Sequence, residues 1–268
     1  MSDFFRNKRI WITGASSGIG EALAYACAEE GAQLILSARK EPELRRVATS
    51  ATEKGAASVL VQPLDLADHA AIPGIVAPVL QKVGKVDILI HCGGLSQRGL
   101  AMETSLDVDK KIMNVNFFGT VALTKALLPS MLTHQLGHIV TITSVTGKYG
   151  TPKRSAYAAS KHALHGFFDS LRAELGHTPV QITLICPGFV RTNVSINALT
   201  GSGLPQGTMD DATNRGMTAE EAARRILRAI RLGKEEAWFG GAKEILGIYL
   251  KRFFPAWFSR IIRQVKVT

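Results

Sequence analysis

The chain has 268 residues, of which 46% are hydrophobic and 20% charged, so it can build a full core and is not a disordered composition. Its net charge of +10 points to nucleic acid, anionic membrane or anionic small molecules as partners. Cys27, Cys92 and Cys186 form no CxxC pair and no cysteine–histidine cluster at zinc spacing, so no metal is expected and the thiols read as reduced.

The N-terminus, MSDFFRNKRI, lacks the apolar stretch of a signal peptide. No run of about 18 apolar residues is evident. The expectation is a cytoplasmic chain, with a membrane-peripheral position as the further option.

Along the chain, short apolar runs alternate with amphipathic stretches. The runs are 9–13, 33–37, 58–62, 86–91, 138–143, 180–185 and 236–240. Most are apolar throughout, as strands covered on both faces of a parallel sheet are. Helical patterns fall at 18–30, 41–54, 68–83, 105–133 and 155–176. The alternation predicts an α/β, doubly wound sheet with right-handed crossovers. One domain spans 1–240, and a helical extension fills 241–268. The rhythm breaks at 193–217, a stretch rich in Gly, Asn, Thr and Asp that reads as a lid. After it, Thr218 and Glu221 form a capping-box pattern.

The first strand runs into TGASSGIG, which crowds Gly14, Gly18 and Gly20 into one strand-to-helix turn. Such a turn brings bare backbone and a helix N-terminus to a pyrophosphate; the plainer alternative is a structural turn. After the second strand, Ala38 stands where an acidic residue would bind the ribose of NAD, and Arg39 and Lys40 follow. An arginine there suits the 2′-phosphate of NADP(H), although it could also simply open a solvated helix. Asp65 is placed either to touch the adenine or to cap a helix near Asp68.

The fifth main strand ends in TITSVTG, bringing Ser144 to the ligand-binding edge of the sheet. Tyr157 and Lys161 follow one helical turn apart. An ammonium near a phenol favours the phenolate. Ser144 could hold a carbonyl oxygen while Tyr157 protonates it, the cofactor supplying the hydride.

Together, TGxxxGxG at 13–20, Asp65, Asn116 in NVNFFG, Ser144, YxxxK at 157–161 and PGFVRT at 187–192 resemble the short-chain dehydrogenase/reductase family, in its single-domain, NADP-dependent branch. The resemblance covers residues 8 to 240. It implies a Rossmann-like seven-stranded sheet and a catalytic set of Asn116, Ser144, Tyr157 and Lys161. Asn116 would hold a relay water, and Lys161 the nicotinamide ribose. The cofactor would lie along Gly14, Ser16, Ser17, Gly18, Ile19 and Gly20, then Arg39, Lys40, Asp65 and Leu66. Further along it would meet Cys92, Gly93, Gly94, Pro187, Gly188, Val190 and Thr192, besides Asn116, Tyr157 and Lys161. One motif departs: His91-Cys92-Gly93-Gly94 stands where the family carries Asn-Asn-Ala-Gly. His91 reads as a packed strand-end residue.

The substrate side is assigned to Leu95, Ser144, Val145, Tyr149 and Phe189, with apolar lid residues such as Val194 and Leu204 as pocket or packing. The expected substrate is a hydrophobic ketone or secondary alcohol, such as a steroid, retinoid or lipid. Alternatives are a 3-oxoacyl-thioester reductase of the same family and a non-catalytic NADP(H)-binding sensor. The family implies a homodimer or homotetramer through 105–133 and 155–176. The extension mixes Lys243, Lys251, Arg252, Arg260, Arg263 and Lys266 with aromatic residues. It suits either packing on the domain or a subunit, or peripheral membrane contact over 243–268. No nucleic-acid-reading motif is present, and no nucleic acid is expected.

Overall fold

Each apolar run is followed by a helix that returns the chain to the same end of the sheet, so the strands align in parallel. The computed structural model describes residues 3–265; Lys266, counted among the cations of the extension, lies outside them. In chain order the strands are β1 (Arg9–Thr13), β2 (Gln33–Ser37), β3 (Ser58–Val61), β4 (Ile88–His91), β5 (Gln97–Arg98), β6 (His138–Ile142), β7 (Gln181–Pro187), β8 (Leu199–Thr200) and β9 (Glu236–Phe239). Seven form one parallel sheet in the order β3-β2-β1-β4-β6-β7-β9. The helices are α1 (Gly18–Glu29), α2 (Glu41–Glu53), α3 (Ile72–Val83), α4 (Leu106–Met113), α5 (Gly119–Thr133), α6 (Ser155–Glu174), α7 (Asp211–Asn214), α8 (Ala219–Arg231), α9 (Ala242–Phe253) and α10 (Pro255–Ile262).

Strand alternation divides the core into two layers. On one face Ile10, Ile12, Leu34, Leu36 and Ile90 meet Leu23 of α1, Val47 of α2 and Ile226 of α8. On the other, Trp11, Ile35, Leu89, Ile139 and Leu184 meet Val79 of α3, Leu127 of α5 and Phe168 of α6. The one polar atom of Trp11 is satisfied, since its Nε1 donates to Ser37 Oγ at 2.9 Å. Removing a large core ring such as Phe168 would cost about 3–5 kcal/mol.

The structure differs from the sequence pattern in three places. The third helix starts at Ile72 and not at 68, because Pro73 has no amide to donate and fits only in a first turn. Asp68 closes the preceding turn instead, accepting from the Ala71 amide at 3.3 Å. The expected continuous helix at 105–133 is interrupted by a π turn over Asn114–Phe118. Leu106–Thr133 does reach the length and mean hydropathy of a membrane span, which interspersed Thr, Asn and Gly concealed in the sequence. Leu123 and Leu127 of this stretch are nevertheless buried against the sheet, as in a core helix. Finally, β5 and β8 form a separate two-stranded parallel ribbon that ties the 193–217 segment to the rest of the domain. At Thr218 half of the predicted capping box is realised: its Oγ1 accepts from the Glu221 amide at 3.1 Å, while the Glu221 carboxylate pairs with Arg225.

Candidate active site

Parallel strands deliver their carboxyl ends to one edge, and a crevice opens where strand order reverses, between β1 and β4. Both strands end there in backbone with no room for side chains. A Cβ on Gly14 would lie 2.7 Å from the Gly93 backbone, and one on Gly20 would lie 2.2 Å from the Gly14 carbonyl oxygen. Gly14 also has φ +66°, in the left-handed region. Thr13 ties the two strand ends together, its Oγ1 accepting from the amides of Cys92 (3.1 Å) and Gly93 (3.2 Å). Leu66 packs on Gly93, and Thr192 packs on Gly18. Ser17 is the N-cap of α1, the Ser16 carbonyl accepts from Arg46 at 3.4 Å, and Ile19 packs on the core. The cradle fits a dinucleotide: bare glycine backbone faces the N-terminal amides of α1.

At the far end of the crevice Arg39 and Lys40 are exposed, Lys40 as the N-cap of α2. Arg39, Pro63, Leu64, Asp65 and Asp68 line a cavity of about 290 Å³. Asp65 closes a turn beside it, accepting from the Ala67 amide at 2.9 Å. Arg45 and Arg46 are ion-paired with Glu41, Glu21 and Glu43. Arg39 makes no ion pair among the described residues.

The chemistry-bearing groups gather at the same edge. Ser144 follows β6, and its Oγ accepts from the Thr146 amide at 3.1 Å. A hydroxyl that accepts in this way keeps its own proton to donate. Tyr157, half-buried, lies in the first turn of α6. Lys161 is buried; its Nζ donates to the Ile142 carbonyl at 2.9 Å and stands 5.8 Å from the centroid of the Tyr157 ring. Asn116 sits in the π turn, a feature that often marks functional sites. Its Oδ1 accepts from the Leu95 amide at 2.7 Å, and its Nδ2 donates to the Leu95 carbonyl (2.9 Å) and to Ser160 (3.0 Å). A Cβ on Gly94 would come within 3.2 Å of Asn116 Oδ1 and 3.7 Å of Lys161 Nζ, so both line one small space.

The departing motif is filled by packing. His91 is buried with its Nε2 2.8 Å from Thr124 Oγ1. Burial, helped by the charge of Lys161, lowers its pKa to about 3, so it stays neutral. Burial likewise pushes the Cys92 thiol up to about 12. Nearby, His165, Cys186 and Glu236 bring ligand atoms within 4.8 Å of one another. Lys148 already holds the Glu236 carboxylate at 2.8 Å, and burial pushes the Cys186 thiol up to about 12, so this cluster is an internal polar network.

The expected substrate-side residues also serve as packing. Leu95 lies against Val108, Ile112 and Leu199. Val145 and Tyr149 are buried against Ile248 of α9 and Phe258 of α10. The Tyr149 hydroxyl donates to the Glu244 carbonyl at 3.2 Å, and burial pushes its pKa up to about 12. Phe189 lies under the Arg154 guanidinium, 5.2 Å from ring centroid to cation. Pro187 ends β7, and Val190 forms a bridge with Met217.

Three positioning groups escaped the sequence reading. Gln97 is fully buried, and its Oε1 accepts from the amides of Ala156 (2.8 Å) and Tyr157 (3.4 Å), so it caps α6, the helix that carries Tyr157 and Lys161. Arg98 and Asp210 form a buried ion pair that fastens the 193–217 segment, with Arg154 3.7 Å from the same carboxylate. Burial works to raise the Asp210 carboxyl, but the hydrogen bonds from Arg98 and Gln206 outweigh it and hold it low. Glu244 accepts from the amides of Gly241 (3.0 Å) and Phe189 (3.3 Å), latching the extension onto the loop after β7. No local signal marked any of them, since each partner lies far along the chain or depends on the packing.

A family model described as short chain dehydrogenase matches residues 8–201. The chain is 44% identical over 261 residues to the dehydrogenase/reductase SDR family protein 7-like of Anopheles gambiae, covering 96% of this chain and 82% of that protein. Its fold matches a short chain dehydrogenase/reductase from Burkholderia phymatum solved with NAD, at TM-score 0.83 and 25% identity, over 100% of this chain and 98% of that one. It also matches an alcohol dehydrogenase from Thermococcus sibiricus solved with 5-hydroxy-NADP, at TM-score 0.76 and 26% identity, over 88% and 97%.

Proposed function

The chain belongs to the short-chain dehydrogenase/reductase family of oxidoreductases, and on that premise we propose that it reduces the ketone of a hydrophobic substrate with NADPH, or oxidises the matching secondary alcohol. The observation that carries the reading is the convergence of Ser144, Tyr157 and Lys161 beside the glycine cradle, with Lys161 held by the Ile142 carbonyl. When bound, the nicotinamide supplies or accepts the hydride. Ser144 donates its hydroxyl proton in a hydrogen bond to the substrate oxygen and fixes it. Tyr157 gives that oxygen a proton during reduction and takes one during oxidation. Lys161 stands beside the Tyr157 ring, 5.8 Å from its centroid, and Asn116 fixes the Gly94–Leu95 backbone next to it.

The preference for NADP(H) is supported by Arg39, an exposed guanidinium on the rim of the cavity beside Asp65, and by Ala38 standing where a carboxylate would bind the ribose of NAD. The proposal extends to self-association through α4–α5 and α6, and to a cytoplasmic, membrane-peripheral location carried by the extension.

Tyr157→Phe tests the chemistry. NADPH binding should persist while turnover of a ketone panel falls about 10²–10⁴-fold, the usual contribution of a positioned acid. Turnover at the wild-type rate refutes the assignment. Arg39→Ala tests the cofactor: the ratio of kcat/KM with NADPH to that with NADH should fall by at least about tenfold, the loss of one charge-assisted contact. An unchanged ratio removes Arg39 from the reading.

A further inference from the structure

Helices α9 and α10 carry apolar residues on two faces. The inner face is covered, with Ile248 and Phe258 buried against Val145 and Tyr149. The outer face is bare. Leu246, Tyr249 and Phe253 on α9, Phe254 at the junction, and Trp257 and Ile261 on α10, are 49–66% exposed. They recur every three or four residues and so form a stripe along each helix. A stripe that faced only water would be polar there. Trp238 extends the patch, its ring 5.8 Å from that of Tyr249.

Exposed cations stand among these rings: Lys243, Lys251, Arg252, Arg260 and Arg263. None of them has a carboxylate partner among the described residues. The single acid between residues 242 and 265, Glu244, is turned inward to the amides of Gly241 and Phe189.

We propose that this outer face docks on the surface of an anionic lipid bilayer. Trp, Tyr and Phe suit the headgroup boundary, and unpaired Lys and Arg suit lipid phosphates. A second copy of the chain is a poorer occupant, because a two-fold contact would set these cations against themselves.

The docking has a consequence for the site because the same helices back its wall. Tyr149 follows Ser144 on one loop and bonds the Glu244 carbonyl, while the Glu244 carboxylate caps Phe189. A docked extension holds that loop one helix layer from the bilayer. This step rests on the reductase reading above: the substrate is then a lipid-resident ketone taken from the membrane.

The test uses the full chain with vesicles of phosphatidylcholine alone, and of phosphatidylcholine with about a third phosphatidylserine. Cosedimentation should be at least about tenfold stronger with the anionic vesicles, and should weaken in high salt. The double variant Phe254→Ser/Trp257→Ser should bind those vesicles about tenfold more weakly, with its melting temperature and its turnover of a water-soluble ketone unchanged. Equal binding to both vesicle types, or by wild type and variant, overturns the proposal. So does a dimer that the variant abolishes while vesicles go unbound. Vesicle binding without ketone turnover supports the dock and removes the reductase reading. Turnover without vesicle binding does the reverse.

Discussion

Replacing Gln97 with leucine should unseat the start of α6, the helix that carries Tyr157. The side chain is fully buried and makes four polar contacts. Its Oε1 accepts from the amides of Ala156 at 2.8 Å and Tyr157 at 3.4 Å. Its Nε2 donates to the hydroxyls of Thr104 at 3.0 Å and Ser155 at 3.3 Å. Leucine has a similar volume, so no large cavity opens and hydrogen bonding is what is lost. An orphaned buried amide at Ala156 costs about 1–3 kcal/mol. The long contact to Tyr157 adds little. Thr104 already donates to the Leu100 carbonyl and loses little more. The expected total is about 2–3 kcal/mol, or a melting temperature lower by about 5–10 °C for a chain of this size. Turnover should fall further than NADPH affinity, because Tyr157 rides on the turn that shifts. Gln97→Glu keeps an acceptor oxygen for both amides, gives up the Nε2 donor to Thr104 and Ser155, and places negative charge at a helix N-terminus, so it should recover part of both losses. Scanning fluorimetry with a cofactor titration reads all three proteins. Equal melting of wild type and Gln97→Leu refutes the capping role, and so does a glutamate variant no better than the leucine one.

Asp210→Asn should leave Arg98 buried and uncompensated, at a cost of about 3–5 kcal/mol, and should expose the segment 193–217 to limited proteolysis. Protease resistance equal to wild type would show that the pair does not fasten that segment. Acid should destabilise the fold through histidines buried in the neutral form. Burial lowers His91 to about 3 and His138 and His165 to about 4, against 6.5 for the ordinary side chain. The unfolded chain therefore takes up protons first. This stability is complete above pH 6.5 and is lost as pH falls toward 4, by about 1.4 kcal/mol per histidine per pH unit at full slope. His138→Gln should reduce that slope by about a third between pH 6 and 4.5, measured by urea unfolding. An unchanged slope removes His138 from the account.

The main strands were legible to within one or two residues because runs such as RIWIT and QLILS are apolar throughout, which only a sheet covered on both faces requires. The chemistry-bearing residues were legible for a related reason. Gly14, Ser144 and Tyr157 each stand at a fixed offset from a strand end or on a helix turn, and that offset is local. The π turn around Asn116 was not legible, since its extra residue leaves the helical pattern of 105–133 nearly intact. Gln97 and Asp210 were invisible because they act across about 60 and 110 residues of chain. The two-faced character of α9 was present in the sequence as offset apolar stripes. Which stripe is covered was set by Tyr149, far upstream.

Gly188 ties the extension to the candidate site. The family resemblance implies that it borders the nicotinamide end of the crevice. In the structure a Cβ there would lie 1.6 Å from Glu244 Oε2 and 3.0 Å from the Gly240 backbone. The glycine therefore admits the carboxylate that caps Gly241 and Phe189. Removing residues 241–268 would strip that cap and uncover Val145 and Tyr149 on the loop that begins at Ser144. A truncated chain would then lose activity by an altered wall, whether or not a membrane is involved. Substitutions on the outer stripe leave Glu244, Ile248 and Phe258 in place, so they separate docking from catalysis where truncation cannot.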